Sequence, residues 1–261
     1  PALVEILAVR KISKGSVTQE NAKIAIIIPA YNEGKRLPTF LSNIMNYSKK
    51  NTNLVLVLVV DDGSTDDTVS IVKQISAEFP ILKLIVNDKN RGKGFSVKRG
   101  IIHALENYDI GYVLYADADG ATPVEELDNL MGASLAGAEI VIASRRSSKA
   151  KRTGLRALVG KLFYVVVNLL AIPGIEDSQC GFKLFRRDAA KRIFNRSLEN
   201  SWAFDVEIIY IAQMLGYKIA QIQVCWTEQP GSKVNIRRDS LRMLLAVFRI
   251  RSRHGGLIKD A

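Results

Sequence analysis

The sequence predicts an α/β protein in which helices flank a mostly parallel sheet. Residues 24–28 and 54–60 are unbroken apolar runs rich in Ile, Val and Leu, as is typical of strands buried on both faces. After the second run, apolar side chains recur at helical spacing, at Val69, Val72, Ile75 and Phe79. Strands that alternate with helices build an open twisted sheet, and ligands bind beyond the carboxyl ends of its strands.

Three polar segments follow predicted strands. The first two runs end at Pro29-Ala30-Tyr31-Asn32-Glu33 and Asp61-Asp62-Gly63-Ser64-Thr65, and a shorter strand over residues 112–115 ends at Asp117-Ala118-Asp119. Since side chains alternate along a strand, the two Asp residues of the third segment share one face where the strand gives way to a loop. Such carboxylates suit a hard divalent cation, Mg²⁺ or Mn²⁺, that in turn holds a diphosphate. The three segments are expected to converge on one edge of one sheet.

Local signals also indicate where two helices begin. Ser64 or Thr65 is expected to cap the helix after the second run, with Asp66 and Asp67 adding negative charge to its first turn. A glycine-rich turn precedes another helical stretch over residues 97–105; its sequence is Asn90-Arg91-Gly92-Lys93-Gly94. Both helices therefore start close to the predicted ligand edge.

The basic charge of the chain is concentrated in two segments. The 261 residues, 48% of them hydrophobic, are enough for one sizeable α/β core, and the net charge is +11. Residues 145–161 contain seven basic and no acidic side chains, and residues 233–253 contain seven basic and one acidic. Both segments also repeat apolar residues at helical spacing, and no apolar run in the sequence reaches the roughly 20 residues of a membrane span.

Amphipathic helices with basic flanks lie in the plane of an anionic membrane surface, so we expect a peripheral membrane protein. Core helices with a solvated basic edge are the alternative. Nucleic acid is not an expected partner, because the sequence contains no recognition module and aromatic residues do not interleave with the basic ones.

The polar segments at 29–33, 61–66 and 117–119 resemble the signature of family 2 inverting glycosyltransferases of GT-A fold. Three later motifs resemble members of this family that use dolichyl or other polyprenyl phosphates as acceptors: Asp177-Ser178-Gln179-Cys180-Gly181-Phe182-Lys183-Leu184-Phe185, Trp202-Ala203-Phe204-Asp205-Val206-Glu207, and Trp226-Thr227-Glu228 with Gly231-Ser232-Lys233. The resemblance implies a GT-A domain over 24–233 with an interface helix near 153–172. A lead segment would occupy 1–23, and a basic amphipathic helix and tail 234–261.

The resemblance also implies a UDP-sugar donor, with UDP-glucose as the expected one, and Mg²⁺ or Mn²⁺ as cofactor. Asp119 is expected to bind the metal directly, and Asp117 to contact either the metal or the ribose. The residues expected to bind the nucleotide sugar are Pro29, Tyr31, Glu33, Asp61, Asp62, Arg91, Lys93, Asp117, Gln179 and Glu207. In mannosyl-phosphate relatives a Gln two residues beyond the second Asp assists the metal. Here that position is Ala121, which agrees with the glucosyl branch and leaves the third metal ligand unassigned.

The implied acceptor is a phosphate monoester, which needs positioning and electrostatic capture more than deprotonation. Arg145 matches the family's acceptor-phosphate arginine, and Ser144, Arg156 and Lys233 are expected to complete the cluster. Asp119, Arg145 and Asp205 are the expected catalytic residues. Asp205 either assists the acceptor's attack or, with Glu207, orients glucose hydroxyls. Direct displacement at C1 by the phosphate oxygen would invert the anomer.

Other functions are compatible with the same frame. One is transfer to a glycan hydroxyl, although the Gln-x-x-Arg-Trp motif typical of such synthases does not occur in the sequence. Another is the use of a different nucleotide sugar. A non-catalytic membrane-associated nucleotide-sugar binder is the third, and the intact Asp117 and Asp119 pair disfavours it. For the enzyme, the expected location is the cytosolic face of a membrane, where nucleotide sugars meet polyprenyl phosphates.

Overall fold

The computed structural model describes residues 23–145, 167–168, 170–229 and 236–255, with side chains of the last range from 245 onward, and it confirms the predicted α/β fold. Within these residues seven strands form one sheet: β1 Ile24–Ala30, β2 Leu54–Asp61, β3 Leu82–Val86, β4 Tyr112–Ala116, β5 Ile140–Ser144, β6 Phe182–Arg186 and β7 Ile219–Gln223. The helices around it are α1 Leu37–Ser48, α2 Thr68–Glu78, α3 Lys93–Asn107, α4 Glu126–Leu135, α5 Arg187–Arg196, α6 Phe204–Met214 and α7 Ile236–His254.

The sheet is mixed, and its strand order is β3-β2-β1-β4-β6-β5-β7. The neighbouring strands β3, β2, β1 and β4 all run parallel, so the polar segments after β1, β2 and β4 meet at one edge. Strand β6 runs antiparallel to both β4 and β5, which brings its amino end to that same edge. There the backbone amide of Asp117 donates to the carbonyl of Gly181 at 2.9 Å. The sheet thus joins the segment after β4 to the segment before β6.

The core lies on both faces of the sheet. Along β1 alternate side chains face opposite layers, as strand geometry requires: Ala25 and Ile27 pack with α3, α5 and α6, whereas Ile26 and Ile28 pack with α1 and α4. Every residue of β1 is buried. A central strand covered on both faces is a rigid support, so the loops at its carboxyl end are held in defined positions.

Helix α7 lies within the predicted C-terminal segment. It buries Ala246, Val247 and Ile250 against the rest of the protein, while Leu245 and Phe248 stay exposed. None of the helices in the described ranges is both long and apolar enough to cross a membrane. Most of the interface helix predicted near 153–172, together with Arg156 and Lys233, lies outside the described residues. The domain boundaries at 1–23, 24–233 and 234–261 stay predictions.

One local prediction about α2 was wrong. Ser64 and Thr65 do not cap this helix: Ser64 Oγ instead accepts from the backbone amide of Asn32 at 2.9 Å. The amide of Thr68, the first residue of α2, donates to Asp66 Oδ1 at 3.0 Å. The hydroxyl of Ser64 is therefore used to tie the segment after β2 to the segment after β1.

Candidate active site

Asp62, at the end of β2, organises the glycine-rich turn before α3. The buried carboxylate accepts hydrogen bonds from the Asn87 side-chain amide at 2.7 Å and from the backbone amides of Arg91 and Gly92 at 3.0 and 2.8 Å. Both carboxylate oxygens of Asp62 are therefore used to hold Asn87 and the turn before α3. The side chain of Arg91 pairs at the surface with Asp88, so its backbone, rather than its guanidinium, joins the site.

One carboxylate oxygen of Asp61 is left without a hydrogen-bond partner among the described residues. Its Oδ2 accepts from the backbone amides of Gly63 and Ser64 at 3.1 and 3.0 Å. Its Oδ1 is also buried but has no hydrogen-bond partner within the described part of the chain. Because an unpaired buried acceptor is costly, such an atom indicates a ligand donor. Asp61 is the better placed of the two carboxylates to contact a bound nucleotide.

The segment after β1 adds a charged pair to the same edge. Pro29 is buried in β1, and Tyr31 is partly exposed beyond it. Glu33, nearly buried, forms a two-point ion pair with Arg36, whose Nε and Nη2 lie 2.7 and 2.5 Å from its two carboxylate oxygens. Nη1 of Arg36 lies 3.9 Å from Asp119 Oδ2. Arg36 therefore links the predicted nucleotide segment to the predicted metal ligand.

Asp117 and Asp119 follow β4, as the sequence predicts, and each is held by a different partner. Asp117 Oδ1 lies 2.6 Å from Lys93 Nζ, and Asp119 Oδ1 accepts from the backbone amide of Ala121 at 3.0 Å. Burial, followed by the charge of Asp117, raises the pKa of Asp119. The two carboxylates thus lie close enough for their negative charges to repel, which a cation between them would relieve.

Asp117 is confined by the backbone of the neighbouring strand. A Cβ atom added at Gly181 would lie 2.0 Å from Asp117 Oδ2, well inside van der Waals contact. The antiparallel pairing of β6 with β4 places Gly181 directly beside Asp117. Any larger residue before β6 would therefore displace the Asp117 carboxylate, so its position depends on the glycine at 181.

The residues at this edge fit a divalent cation held partly by substrate. Among the described residues, no group of three or more His, Cys, Asp or Glu side chains could hold a metal ion. Mg²⁺ and Mn²⁺ commonly take one or two carboxylates and complete their coordination with water and phosphate oxygens. Asp117 and Asp119 supply that number of carboxylates. The donor set suits a metal–diphosphate complex better than a metal bound by protein alone.

Lys93 lies in a cage of aromatic rings next to Asp117. Its ammonium is 5.6 Å from the ring centre of Tyr115, 5.1 Å from that of Trp202 and 5.7 Å from that of Phe204. Burial by itself would lower the pKa of Lys93, but the charges of Asp117 and Asp205 outweigh it and raise the pKa. Lys93 is therefore a fixed positive charge beside the paired carboxylates.

Asp205 is buried below this cage in a network with Lys183 and Tyr115. Lys183 Nζ donates to the Tyr115 hydroxyl at 2.9 Å, and both groups contact Asp205 Oδ1 closely. Burial, followed by the charge of Asp205, raises the pKa of Tyr115 well above its usual value, so the phenol stays protonated and donates. With two donors on one oxygen, Asp205 is held rigidly at the start of α6.

Arg145 forms a two-point ion pair with Asp177 at the end of β5. Its Nε and Nη2 each donate to one Asp177 oxygen at 2.7 Å, and the guanidinium lies 5.5 Å from the ring centre of Trp226. Burial would lower the pKa of Arg145, but the hydrogen bonds and charge of Asp177 raise it, helped by Cys180 and Asp117. Nearby in the sequence, Ser144 Oγ and Gln179 Nε2 are buried without a hydrogen-bond partner within the described ranges.

Glu207 contacts the loop before α6 and also α7, and its predicted contact with the nucleotide sugar stays a prediction. Successive residues of a helix are rotated by about 100°, so Asp205 and Glu207 point to different sides of α6. Glu207 is fully buried; its Oε2 accepts from the backbone amides of Leu198 and Glu199, and its Oε1 lies 2.8 Å from His254 Nε2. Glu207 therefore joins α6 to the loop before it and to α7.

Sequence reasoning missed several residues that the fold brings to the site. They are Arg36, Tyr115, Asp177, Lys183 and Trp202. Lys183 had a recognisable signal, because a lysine inside the apolar strand Phe182-Lys183-Leu184-Phe185 must find a buried partner. The others gave no local signal of the site, since the site groups they meet, such as Asp119 for Arg36 and Arg145 for Asp177, lie far away in the chain.

The described fold is that of GT-A enzymes. A crystal structure of glucosyl-3-phosphoglycerate synthase from Mycobacterium tuberculosis, in complex with Mn²⁺, UDP-glucose and phosphoglyceric acid, superposes with a TM-score of 0.68. The match covers 91% of this chain and 83% of that one at 19% identity. At this identity the likeness defines the fold alone.

Sequence comparison identifies the family within that fold. The model for glycosyl transferase family 2 matches residues 25–194. The chain is 38% identical over 254 residues to the dolichyl-phosphate beta-glucosyltransferase of Dictyostelium discoideum, covering 90% of this chain and 76% of that protein. It is 37% identical over 229 residues to the mouse protein of the same name, covering 81% and 69%. The chain therefore belongs to glycosyltransferase family 2 and is a glycosyltransferase.

Proposed function

We propose that this glycosyltransferase moves glucose from UDP-glucose to dolichyl or another polyprenyl phosphate, with inversion at C1 and with a divalent cation. One observation carries the proposal: the carboxylate pair suited to a metal–diphosphate lies close to a guanidinium suited to a phosphate. Asp117 follows β4 and Arg145 follows β5, and both strands run antiparallel to β6 between them, so the two residues lie at the same edge of the sheet. The relatives named dolichyl-phosphate beta-glucosyltransferase support the choice of sugar and acceptor.

The nucleotide would bind across the ends of β1 and β2. The unpaired Oδ1 of Asp61 is suited to accept from the uracil imide N–H or from a ribose hydroxyl. The partly exposed ring of Tyr31 would flank the base, and Glu33 stays paired with Arg36 beside it. Asp62 serves this pocket indirectly, because it fixes the turn that carries Lys93.

The diphosphate would lie between Lys93 and Arg36, next to Asp117 and Asp119. A Mg²⁺ or Mn²⁺ ion held by the two carboxylates would supply neutralisation of the charge that develops on the departing UDP. Lys93, 2.6 Å from Asp117, and Arg36, 3.9 Å from Asp119, would add fixed positive charge on either side of the diphosphate. Lys93 and Arg36 would thus bind the departing UDP without a change in their positions.

The acceptor phosphate would bind at Arg145. Asp177 orients the guanidinium through two hydrogen bonds, and Trp226 covers it, so the acceptor meets a preorganised cation. The phosphate oxygen forms its bond to C1 as the bond from C1 to the UDP oxygen breaks, and attack from the opposite side gives the β-anomer. Asp205 shares one oxygen between Tyr115 and Lys183, which favours a positioning role over that of a base.

A membrane surface is the proposed location of this reaction, on its cytosolic side. The outer face of α7 exposes Leu245 and Phe248 close to Arg249, whose side chain is half exposed. Apolar residues flanked by arginine suit the interface of an anionic bilayer. The acceptor's polyprenyl chain would lie in that bilayer while its phosphate reaches Arg145.

The direct test uses labelled UDP-glucose, dolichyl phosphate and Mn²⁺, followed by counting the label extracted into organic solvent. Lipid-phase label that requires both metal and acceptor supports the proposal, and the anomer of the product tests inversion. If UDP-glucose binds but no lipid is labelled, the acceptor is wrong and glycan hydroxyl acceptors become the candidates. If UDP-glucose does not bind, a panel of other nucleotide sugars tests the donor.

A further inference from the structure

Helix α7 is tied to the loop between α5 and α6, residues 197–203, by buried charges. Oε2 of Glu207 accepts from the backbone amides of Leu198 and Glu199 at 2.9 and 2.8 Å, while its Oε1 lies 2.8 Å from His254 on α7. Glu199, itself nearly buried, accepts from Arg253 Nη1 at 3.0 Å. Arg249 Nη2 also lies 3.9 Å from Glu199 Oε1, so three side chains of α7 hold two acidic groups that set the course of the 197–203 loop.

The other side of this loop rests on the start of α3. The carbonyl oxygen of Asn200 accepts from the amide of Gly94 at 2.9 Å. A Cβ atom added at Gly92 would lie 2.3 Å from the Asn200 carbonyl oxygen, and one at Gly94 would lie 2.5 Å from that of Glu199. Such close approach is possible only for glycine, so the backbone of the loop and the start of α3 fit one another directly.

Lys93 lies between those two glycines and depends on the same loop. Its ammonium is covered by Trp202 from the loop and by Phe204 just after it, and it reaches Asp117 at 2.6 Å. The side chain is 12% exposed, so little room exists for other positions. A shift of the loop would remove its aromatic cover and change the place of its charge.

We propose that α7 is a positioning element of the donor site: through Glu199 and Glu207 it holds the 197–203 loop against α3 and so keeps Lys93 beside the diphosphate position. This inference rests on the proposed function, since it takes UDP-glucose as the donor. Glu199, Glu207, Arg253 and His254 are positioning residues in this scheme, because their described contacts are with the loop and α7 rather than with the paired carboxylates.

The test compares E199Q and R253Q with R251Q as the matched control. E199Q keeps the shape of its side chain. R253Q removes, from a half-exposed position, the nearer of the two arginines beside Glu199, the other being Arg249 at 3.9 Å, so both variants should fold. R251Q removes the same charge from the same helix, but Arg251 contacts the carbonyl of Leu170 instead of the loop. Calorimetry with UDP-glucose and Mn²⁺ measures the dissociation constant, and a thermal unfolding scan verifies the fold.

We expect E199Q and R253Q each to weaken UDP-glucose binding about fivefold, which corresponds to a loss of about 1 kcal/mol. The control R251Q should bind UDP-glucose like the parent. In a K93M background, E199Q should produce almost no additional loss, because contacts that act through one residue are not additive. If E199Q acted only by damaging the fold, its effect would not depend on Lys93. The KM for dolichyl phosphate should not change in E199Q or R253Q.

Two results would overturn the inference, and they are separable from a failure of the proposed function. The first is folded E199Q and R253Q that bind UDP-glucose as tightly as R251Q. The second is a full and independent loss from E199Q in the K93M background. If the unchanged chain does not bind UDP-glucose at all, the donor assignment fails, and the inference falls with it.

Discussion

Arg145 and Asp177 are joined by two hydrogen bonds of equal length, 2.7 Å, from Nε and Nη2 to the two carboxylate oxygens. A lysine cannot reproduce this planar contact and would also lose the stacking on Trp226. We expect R145K to lower turnover with dolichyl phosphate at least about tenfold, as expected when 1.4 kcal/mol of transition-state stabilisation is lost. UDP-glucose affinity should be unchanged. A parallel loss of donor affinity would show that Arg145 does not serve the acceptor.

The same ion pair predicts an acid dependence of stability. Burial would raise the pKa of Asp177, but the hydrogen bonds and charge of Arg145 outweigh it and lower the pKa. A depressed folded-state pKa contributes stability that is present above the unfolded value of about 3.9 and is lost as the pH falls through the folded one. Urea unfolding across acidic pH should show a steeper loss of stability for the parent than for D177N. Equal slopes would contradict the pairing.

Asp119 is the carboxylate assigned to the metal. We expect D119A to abolish Mn²⁺-dependent UDP binding and to lower turnover by about a hundredfold or more, the loss typical when a charge partner of the transition state is removed. Its unfolding temperature should remain near that of the parent. Asp109, paired with Lys23 at the surface, provides the control D109A, which should keep full activity. Full activity of D119A would contradict the prediction that Asp119 binds the metal.

Gly181 provides a test of the close approach to Asp117. A methyl group at this position would collide with the carboxylate, at 2.0 Å from Oδ2, and so we expect G181A to lose metal-dependent turnover. Gly132 in α4 is the matched control, because an added Cβ there meets nothing within 4 Å. G132A should retain activity and gain a little stability from the better helix propensity of alanine. Activity of G181A close to that of G132A would refute the contact.

Lys183 and Asp205 form a buried ion pair, both side chains being almost inaccessible to water. Removing one partner leaves an uncompensated charge in the core, so K183M should lower the free energy of unfolding by about 3–5 kcal/mol. K191M, on the exposed side of α5, should be close to neutral. Denaturant titration of both variants measures the difference. A K183M protein as stable as K191M would mean that Asp205 finds another partner.

Prediction from sequence succeeded where the signal was local. Unbroken apolar runs in the sequence predict strands β1 and β2. The polar segments after β1, β2 and β4 lie at one edge because these strands run parallel. The contacts of Glu207 could not be read from the sequence, because its motif lies at the start of a helix, where residues two apart point to different sides. Arg36, a charged residue in an ordinary loop, gave no signal of its approach to Asp119.

By itself, the sequence determined the α/β class, the edge of the sheet at which the polar segments meet, and the paired carboxylates of the candidate site. These features follow from residue order, because strand length, side-chain alternation and parallel connection are set by neighbouring residues. Only the tertiary structure decided which polar side chains meet: Lys93 with Asp117, Lys183 with Asp205, and Glu207 with His254. Such pairs depend on how strands and helices pack across long stretches of chain, and no local pattern encodes the distance between their side chains.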